Sequence, residues 1–229
     1  MRDPSCKAHA LSYKAALFKQ ANIMDDDVLA AMARWPNVPA VCGWLSLDQR
    51  GRWRLHPLGD AAAGGPGEPI TNTRILAFMD RNYTHDDSGR WFFQNGPQRV
   101  FVRLDAAPYV LRVASETSDL VTHTGIKVNE ISAWYADEHG RFYAATEHGA
   151  GMVEDRDLAS VLDAMTLANG SMLLEALPSW LQDGAQAVSA DVLEIAYAAY
   201  PTAQLKQIHH KNIEQMLGFI ANPVNSQTA

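Results

Sequence analysis

Tyr83–Arg112 reads YTHDDSGRWFFQNGPQRVFVRLDAAPYVLR and decides the fold. It contains three strand-like runs joined by turns, at Arg90–Phe93, Gln98–Leu104 and Tyr109–Val113. Asn95-Gly96 between apolar runs is the strongest short-range signal for a hairpin, because both residues accept positive φ. We therefore expect a three-stranded antiparallel meander on which the other elements pack.

Aromatic residues fall on both faces of the expected meander. Alternation along a strand places Trp91 and Phe93 on one face and Phe92 on the other. An antiparallel sheet normally buries only one face. One aromatic face must therefore meet another part of the chain, a partner or a ligand, and packing between parts of the chain is the simplest of the three.

The composition is that of a globular protein with an acidic surface. The chain has 229 residues, 47% of them apolar, and 26 acidic against 19 basic residues give a net charge of −7. Nucleic-acid-binding proteins usually carry a basic footprint, so we expect no nucleic acid partner. The negative charge also disfavours anionic membranes, and no apolar run approaches the roughly 20 residues of a membrane helix.

The N-terminal segment and the cysteines favour a cytoplasmic protein. Residues 1–20 carry scattered charges without a continuous apolar centre, so we expect no signal peptide. Cys6 and Cys42 are too few for a disulfide framework, which fits a reducing compartment. Cys42 lies in an apolar run, where we expect a small core residue rather than a nucleophile.

Helix and strand patterns divide the chain into four parts. We predict an N-terminal extension at 1–20, a first α+β module at 21–115, a second at 116–175 and a helical C-terminal extension at 176–229. Ser115–Asp119 is the polar break between the modules. The predicted fold class is therefore α+β, with two small antiparallel-sheet-plus-helix modules in tandem followed by helices.

The C-terminal extension is expected to form two helices over residues 189–220, broken near Pro201, which lacks the amide that a continuous helix needs. Each predicted helix has an apolar stripe: Val192, Ile195, Ala196 and Ala199 in the first, and Leu205, Ile208, Met216 and Ile220 in the second. Short amphipathic helices are marginal alone, so they must pack on the chain's own sheet or on a second copy. We favour a homodimer through these helices.

One turn pattern occurs three times, as Asp48-x-x-Gly51-Arg52-Trp53, Asp86-x-x-Gly89-Arg90-Trp91 and Asp137-x-x-Gly140-Arg141-Phe142. The Asp side chain can bond backbone amides two residues on, the Gly supplies positive φ, and the aromatic residue anchors the returning strand. Three ordinary hairpins account for the pattern, and a shared ligand surface is the alternative. The irregular period argues against a solenoid or propeller.

Three longer motifs resemble a known family. They are RWPNVPA-x-x-GWLSLD-x-RGRWR at Arg34–Arg54, ITN-x-RI-x-AF-x-xRNY at Ile70–Tyr83 and GRWFFQNGPQRVFV at Gly89–Val102. They resemble a family of uncharacterised proteobacterial proteins, a domain of unknown function, over roughly Arg34–His148. The layout is also similar to a second family of unknown function, whose members look like two small α+β modules in tandem. Neither family implies a known reaction, so the resemblance supplies no catalytic residue to carry over to this chain.

The candidate ligand-binding residues are His123, Arg99, Trp91 and Gln94. His123 lies at a strand end, between Thr122 and Thr124-Gly125, where a ligand could approach. We hypothesise that it faces a cleft between the two modules, together with Arg99 or Trp91. A structural role is common for a lone histidine and is the competing interpretation.

We expect no metal, cofactor or catalytic residue. The eight histidines lack zinc-site spacing, and the adjacent His209 and His210 would point to different faces of a helix. The chain has no G-x-S-x-G nucleophile elbow. The Gly59–Gly67 loop lacks the Gly-Lys-Ser/Thr ending of a phosphate-binding loop, so we interpret it as a surface insertion.

Three functions remain open. The leading hypothesis is a non-catalytic cytoplasmic module that binds a ligand or partner, with regulation as one use. The second is an enzyme with a cleft between the modules, in which His123 and Arg99 act on a small anionic substrate. The third is a structural or assembly subunit that works through its C-terminal helices. A deep cleft with a perturbed His123 favours the enzyme, whereas a broad apolar surface favours the binding module.

Overall fold

The structure is a computed structural model that describes residues 24–114, 117–184 and 192–224. The predicted N-terminal extension, residues 1–20, therefore lies outside the described residues. Five α-helices lie in the described part: α1 (Asp26–Arg34), α2 (Thr73–Arg81), α3 (Asp155–Ala164), α4 (Leu173–Gly184) and α5 (Ile213–Leu217). None of these helices is long and apolar enough to cross a membrane.

The first sheet contains six strands in the spatial order β3-β2-β1-β6-β5-β4. Its strands are β1 (Val41–Leu47), β2 (Trp53–Leu55), β3 (Glu68–Pro69), β4 (Tyr83–His85), β5 (Trp91–Asn95) and β6 (Gln98–Leu104). The central pair, β1 with β6, is parallel, and the other neighbours are antiparallel.

The second sheet contains eight strands in the order β12-β13-β14-β9-β10-β11-β7-β8. Its strands are β7 (Tyr109–Val113), β8 (Leu120–Thr122), β9 (Ile131–Asp137), β10 (Phe142–Thr146), β11 (Gly149–Val153), β12 (Met165–Leu167), β13 (Leu193–Tyr197) and β14 (Ala203–Ile208). The pairs β9 with β14 and β7 with β11 are parallel.

The same topology occurs twice. In the first sheet, β1-β2-β3 are followed by α2 and then by β4-β5-β6, which return so that the last strand pairs with the first. In the second sheet, β9-β10-β11, α3 and β12-β13-β14 repeat that order and that central parallel pair. Strands β7 and β8 extend the second sheet beside β11. The predicted α+β class with two sheet-and-helix units is confirmed.

The predicted hairpin at Asn95-Gly96 is confirmed. Asn95 pairs with Gln98, so Gly96 and Pro97 form a two-residue loop. Gly96 has a φ of 56°, the positive value that hairpin turns of this length require at their first central residue. Asn95 is thus the last residue of β5, and the tip lies one position later than the Asn-Gly pair itself.

The prediction of a third meander strand beside β6 is wrong. Tyr109–Val113 does not pair with β6, because the second edge of β6 is occupied by β1 in parallel register. The strand instead joins the second sheet, between β11 and β8. The first sheet still contains a meander, formed by β4, β5 and β6.

The two sheets share one hydrophobic core. The core cluster includes Tyr83 and Val102 from the first sheet and Leu111 and Trp134 from the second, all of them almost fully buried. Because Tyr109–Val113 lies in the second sheet, the chain crosses between the sheets before that strand rather than at the polar break near Ser115. The division of the chain into domains stays a prediction.

The predicted helices over residues 189–220 are wrong for most of their described length. Leu193–Tyr197 and Ala203–Ile208 are strands that add to the second sheet, and only Ile213–Leu217 is α-helical. Ile195, Tyr197 and Leu205 are buried in the core, so long-range strand pairing overrides the local helical pattern. The other α-helix of the predicted extension, α4, lies before this range and includes Pro178.

Candidate functional site

The three repeated turns have one geometry, and we name them turn 1 (Asp48–Trp53), turn 2 (Asp86–Trp91) and turn 3 (Asp137–Phe142). In each, Oδ1 of the Asp accepts backbone N–H groups from the residues two and four positions on, over 2.9 and 3.0 Å in turn 1, 3.0 and 3.1 Å in turn 2, and 2.9 and 2.9 Å in turn 3. Oδ2 accepts from Nε of the Arg at the fourth position, over 2.7–2.8 Å. The expected Asp-to-amide bonds are therefore present in all three turns.

The backbone of each turn is also fixed in the same way. The Gly N–H donates to the Asp carbonyl over 2.9–3.0 Å, and the Gly residues have φ values of 70°, 78° and 75°. The Asp side chains of turns 1, 2 and 3 are 13%, 12% and 0% exposed. Each turn is thus a rigid loop that presents an Arg beside a partly or fully buried carboxylate.

Turns 1 and 3 face each other across a cleft of about 530 Å³. Turn 1 comes from the first sheet and turn 3 from the second, and the N-terminus of α3 closes one side. The lining residues are Asp48, Gln49, Arg50, Arg52, Asp105, His139, Gly140, Arg141, Met152, Val153, Asp155 and Leu158. The lining carries three guanidinium groups and three carboxylates, so it is polar and close to neutral in total charge.

An exposed ion pair spans this cleft between turn 1 and α3. Nη2 of Arg50 lies 2.9 Å from Oδ2 of Asp155, and the two side chains are 48% and 61% exposed. The carbonyl oxygen of Arg50 accepts a hydrogen bond from Nη2 of Arg112 over 2.6 Å. Arg112 is held in turn by the buried Glu154 at 2.7 Å, so the backbone of turn 1 is anchored while the Arg50 side chain stays accessible.

The other two arginines of the lining, Arg52 and Arg141, each use one edge of the guanidinium group to bind an aspartate of their own turn. Arg52 donates through Nε to Asp48, and its side chain is 56% exposed. Arg141 donates through Nε to Asp137, and its Nη2 lies 3.4 Å from Nδ1 of His139. A guanidinium has five N–H donors, so this arrangement orients both groups and leaves donor capacity toward the cleft.

Two carboxyl groups of the lining differ in their pKa. Burial raises the pKa of Asp105 above its ordinary value, although Arg103 at 2.8 Å opposes this effect. At Asp48, burial acts in the same direction, but hydrogen bonds from the Arg52 backbone and the Arg54 side chain outweigh it and lower the pKa. Asp48 is therefore a firmly ionised structural group, and Asp105 holds its proton to a higher pH.

His123 lies behind turn 1 rather than in the cleft. Its ring packs among Trp53, Tyr83 and Tyr109, with ring centroids 5.8–6.0 Å apart. Nδ1 accepts a hydrogen bond from the Val110 amide over 3.3 Å, whereas Nε2 is buried without a partner in the described part of the chain. Burial, aided by the charge of Arg112, lowers the pKa of His123 to about 3, so the ring is neutral.

The other predicted residues fall into two places. Trp91 contacts Tyr83 and Tyr109, so it joins the aromatic cluster of His123, and it also lines a second cavity of about 120 Å³. Gln94 and Arg99 are cross-strand neighbours near the hairpin tip. The four residues do not meet in one site, and ligand binding by any of them stays a prediction.

Gln94 and Arg99 have structural contacts of their own. Gln94 is fully buried, and its Nε2 donates to the Gly96 carbonyl over 2.8 Å, which supports the hairpin loop. Arg99 is exposed and lies with Cζ 4.8 Å from the ring centroid of Phe92. Arg90 lies in the same way over Phe101, at 4.6 Å. Guanidinium groups thus cover the outer aromatic face of the first sheet, while Trp91 and Phe93 enter the shared core.

Ser46, His56 and Asp60 are arranged in the sequence of contacts of a catalytic triad, but the serine is not accessible to a substrate. Oγ of Ser46 lies 2.9 Å from Nε2 of His56, whose Nδ1 lies 3.7 Å from Oδ1 of Asp60. Ser46 is 0% exposed and lies inside strand β1, so no substrate carbonyl reaches its hydroxyl in this structure. The group therefore supports a structural role, in which the buried serine and histidine satisfy each other.

Comparison with known families decides the family of the chain. The model of the DUF2944 family, described as "Protein of unknown function (DUF2946)", matches residues 24–224. The chain belongs to this family. The predicted assignment to a family of unknown function is confirmed, and a proteobacterial origin stays a prediction. No curated protein matches the sequence of this DUF2944 member.

Two solved structures of another family of unknown function are similar to this DUF2944 protein. A DUF1285 family protein from Silicibacter pomeroyi DSS-3 has a TM-score of 0.45 and 16% identity, over 72% of this chain and 96% of that one. A DUF1285 family protein from Shewanella baltica OS155 has a TM-score of 0.36 and 13% identity, over 52% and 89%.

The cleft residues of this DUF2944 protein were missed as site candidates, although the sequence contains their signal. The repeated pattern places an Arg directly after each turn glycine, as Arg52 and Arg141 show. The pattern does not predict that turn 1 and turn 3 lie close together. Their proximity depends on the packing of the two sheets, which no local motif encodes.

Proposed function

We propose that this DUF2944 protein is a ligand-binding module whose cleft takes a small molecule bearing a carboxylate or phosphate group. One observation carries the proposal: two copies of the same rigid turn, one from each sheet, face a cleft of about 530 Å³ with Arg50, Arg52 and Arg141 in its lining. This volume lies in the range of small-molecule sites. Guanidinium groups recognise carboxylate and phosphate oxygens through paired hydrogen bonds.

The ion pair across the cleft supports an anionic ligand. Arg50 and Asp155 are both about half exposed. Exposed pairs of this kind contribute roughly 0–1 kcal/mol, so a ligand anion replaces Asp155 at Arg50 at little cost. The carboxyl of Asp105, with its raised pKa, faces the same space and suits a ligand that also carries a hydroxyl or amino group.

Several finer features belong to the same proposal. We propose a cytoplasmic bacterial protein, supported by its two cysteines and its acidic composition. A homodimer is also a proposal. The apolar stripes of the C-terminal segment do not support it, because Leu205 and Ile208 are buried in the chain's own core. An assembly role through C-terminal helices loses support for the same reason.

An enzyme using this cleft would have to rely on His139, the histidine in the lining, instead of His123.

The test is a thermal-shift titration of the full chain with inorganic phosphate and with succinate, at constant ionic strength. A ligand that binds only the folded state raises the Tm with concentration. We expect at least one of the two anions to raise it, and the uncharged analogue succinamide to have no effect. Arg52→Gln and Arg50→Gln should each abolish the rise.

Arg81→Gln is a matched control. Arg81 is 55% exposed and donates through Nε to Asp25 at 3.0 Å, much as Arg52 donates to Asp48, but it does not line the cleft. Its substitution should leave the anion-dependent rise intact. The proposal fails if neither anion raises the Tm, or if Arg52→Gln responds like the wild type.

A further inference from the structure

The parallel pair at the centre of the second sheet brings two distant segments to one edge. The register of β9 and β14 ends with Asp137 opposite Ile208. Parallel strands have their carboxyl ends at the same edge, so the residues that follow each strand become neighbours. Glu138 follows β9, and His209 and His210 follow β14.

These three side chains converge on one point. Oε1 of Glu138 lies 3.3 Å from Nε2 of His209 and also hydrogen-bonds with Nδ1 of His210. Oε2 of Glu138 accepts the His210 backbone N–H over 2.9 Å. One carboxylate oxygen and one imidazole nitrogen from each histidine lie within 4.8 Å of one another.

The adjacent histidines face the same way because His209 is not in a helix. Its φ of −72° and ψ of 134° are extended, and the short 3₁₀ turn begins at His210. The two rings stack with centroids 4.6 Å apart and an interplanar angle of 30°. The expectation that they point to different faces assumed a helix through this segment, and this assumption is wrong because strand β14 runs up to Ile208.

We propose that Glu138, His209 and His210 form a binding site for a divalent transition metal ion, with zinc as the preferred ion. Zinc binds imidazole nitrogen and carboxylate oxygen at about 2.0–2.2 Å, and tetrahedral geometry then places neighbouring donors about 3.4 Å apart. The 3.3 Å between Oε1 of Glu138 and Nε2 of His209 meets this requirement. Nδ1 of His210 is hydrogen-bonded to the same oxygen and must move away from it to make room for the ion. Two histidines and one glutamate leave the fourth position to water.

The chemical state of the group suits an incoming cation. Both carboxylate oxygens of Glu138 accept hydrogen bonds from His210, one from the ring Nδ1 and one from the backbone N–H, so the carboxylate is held in place beside the two rings. Zinc binding at Nε2 of His209 and Nδ1 of His210 requires each neutral ring to carry its proton on its other nitrogen.

Access and surroundings are also suitable. The side chains of Glu138, His209 and His210 are 40%, 53% and 35% exposed, so the ion enters from solvent. Nδ1 of His209 now accepts a long hydrogen bond of 3.3 Å from the exposed Lys211 amide. That bond opens when Nε2 binds the metal, since Nδ1 must then carry the proton.

The site borders the cleft through His139. The His139 ring lies 4.7 Å from the His210 ring, and His139 also lines the cleft. Arg141, which contacts His139, has its charge directed to the fully buried Asp137. The metal site does not depend on the cleft ligand, so either proposal can fail without the other.

The experiment is isothermal titration of the untagged full chain with zinc chloride at neutral pH. We expect one zinc ion per chain. Glu138→Gln and His210→Ala should each weaken binding at least about tenfold. His209→Ala is a third variant, in case one of the others fails to fold by circular dichroism. X-ray absorption of the zinc-loaded protein should show two imidazole ligands with oxygen completing the shell.

His148→Ala is the matched control. Nε2 of His148 lies 3.2 Å from Oε1 of Glu147, a histidine–glutamate pair outside the cluster whose histidine side chain is 8% exposed. This variant should bind zinc as the wild type does. The proposal is overturned if the wild type binds no zinc, or if all three cluster variants keep wild-type affinity, which would place the zinc elsewhere on the chain.

Discussion

Turn 1 and turn 3 have the same sequence pattern and the same internal hydrogen bonds, but their surroundings differ. In turn 3, Asp137 is 0% exposed and accepts a further hydrogen bond from the Tyr143 hydroxyl at 3.3 Å. In turn 1, Asp48 is 13% exposed and holds Arg54 as well as Arg52. The local sequence therefore determines the turn, whereas its neighbours determine the exposure of its carboxylate: the carboxylate of turn 3 is shielded from solvent, and that of turn 1 borders it.

The largest expected difference is between the two aspartates. Asp137→Ala leaves Arg141, two backbone amides and Tyr143 without their buried acceptor, and should lower the free energy of unfolding by roughly 3–5 kcal/mol. Asp48→Ala should lower it by about 1–3 kcal/mol, because water reaches the freed donors. Urea unfolding of both variants measures this difference. Equal losses would show that the two environments are energetically the same.

Glycines at the equivalent position of turns 2 and 3 provide a second comparison. A Cβ at Gly89 would lie 2.4 Å from the Gly218 carbonyl oxygen, while one at Gly140 meets nothing within 4 Å. Gly140→Ala should cost about 1 kcal/mol, from its positive φ alone. Gly89→Ala should cost about 2–4 kcal/mol, because the C-terminal segment must also move.

Thermal or urea unfolding distinguishes these two glycine variants. The Ile220 amide donates to the Gly89 carbonyl over 2.9 Å, and this bond fixes the segment that the new methyl group would strike. Similar losses in both variants would show that turn 2 does not bear on the C-terminal segment.

The last expected effect is a pH dependence, and it concerns His123, the neighbour of turn 1. A Cβ at Gly51 would lie 2.5 Å from Cβ of His123. The pKa of His123 falls from 6.5 to about 3 in the folded chain, so between these values the unfolded chain binds more protons. The stability should therefore decrease as the pH falls from about 6.5 toward 3.

His123→Phe tests this pH dependence, since it removes the titrating group and keeps an aromatic ring. Its unfolding free energy should change less with pH than that of the wild type over the same interval. An NMR titration supplies the direct measurement. Protonation of His123 near pH 6 in the folded protein would contradict its burial behind turn 1.

The fold was predictable where its signals are local. The three Asp-Gly turns and the Gly96 loop lie where the sequence places them. The prediction failed at Leu193–Tyr197, where a helical stripe competes with alternation of Leu193, Ile195 and Tyr197. Alanine-rich sequence favours a helix locally, but pairing with β12 and β14 decides the outcome, and those partners are distant in sequence.

The candidate site was less predictable for a related reason. His123 and Trp91 do lie in one aromatic cluster, but the ring of His123 is enclosed there instead of facing the cleft. The cleft requires the docking of two sheets, and the Glu138 cluster requires the β9–β14 register. Residue type and spacing suggested candidates, whereas tertiary pairing decided which of them meet.

The parallel pair at the centre of each sheet has a consequence for synthesis on the ribosome. In each unit the strand made last, β6 or β14, lies inside the sheet between strands made earlier. In the first unit, β1 can pair with β6 once Leu104 has emerged from the ribosome. In the second unit, one edge of β9 stays unpaired until β14 has emerged up to Ile208. Such distant pairings form slowly. The nascent chain therefore carries an unpaired edge of β9 while residues 138–208 are made, and the bond from Ile220 to turn 2 forms after the strands of both sheets have been made.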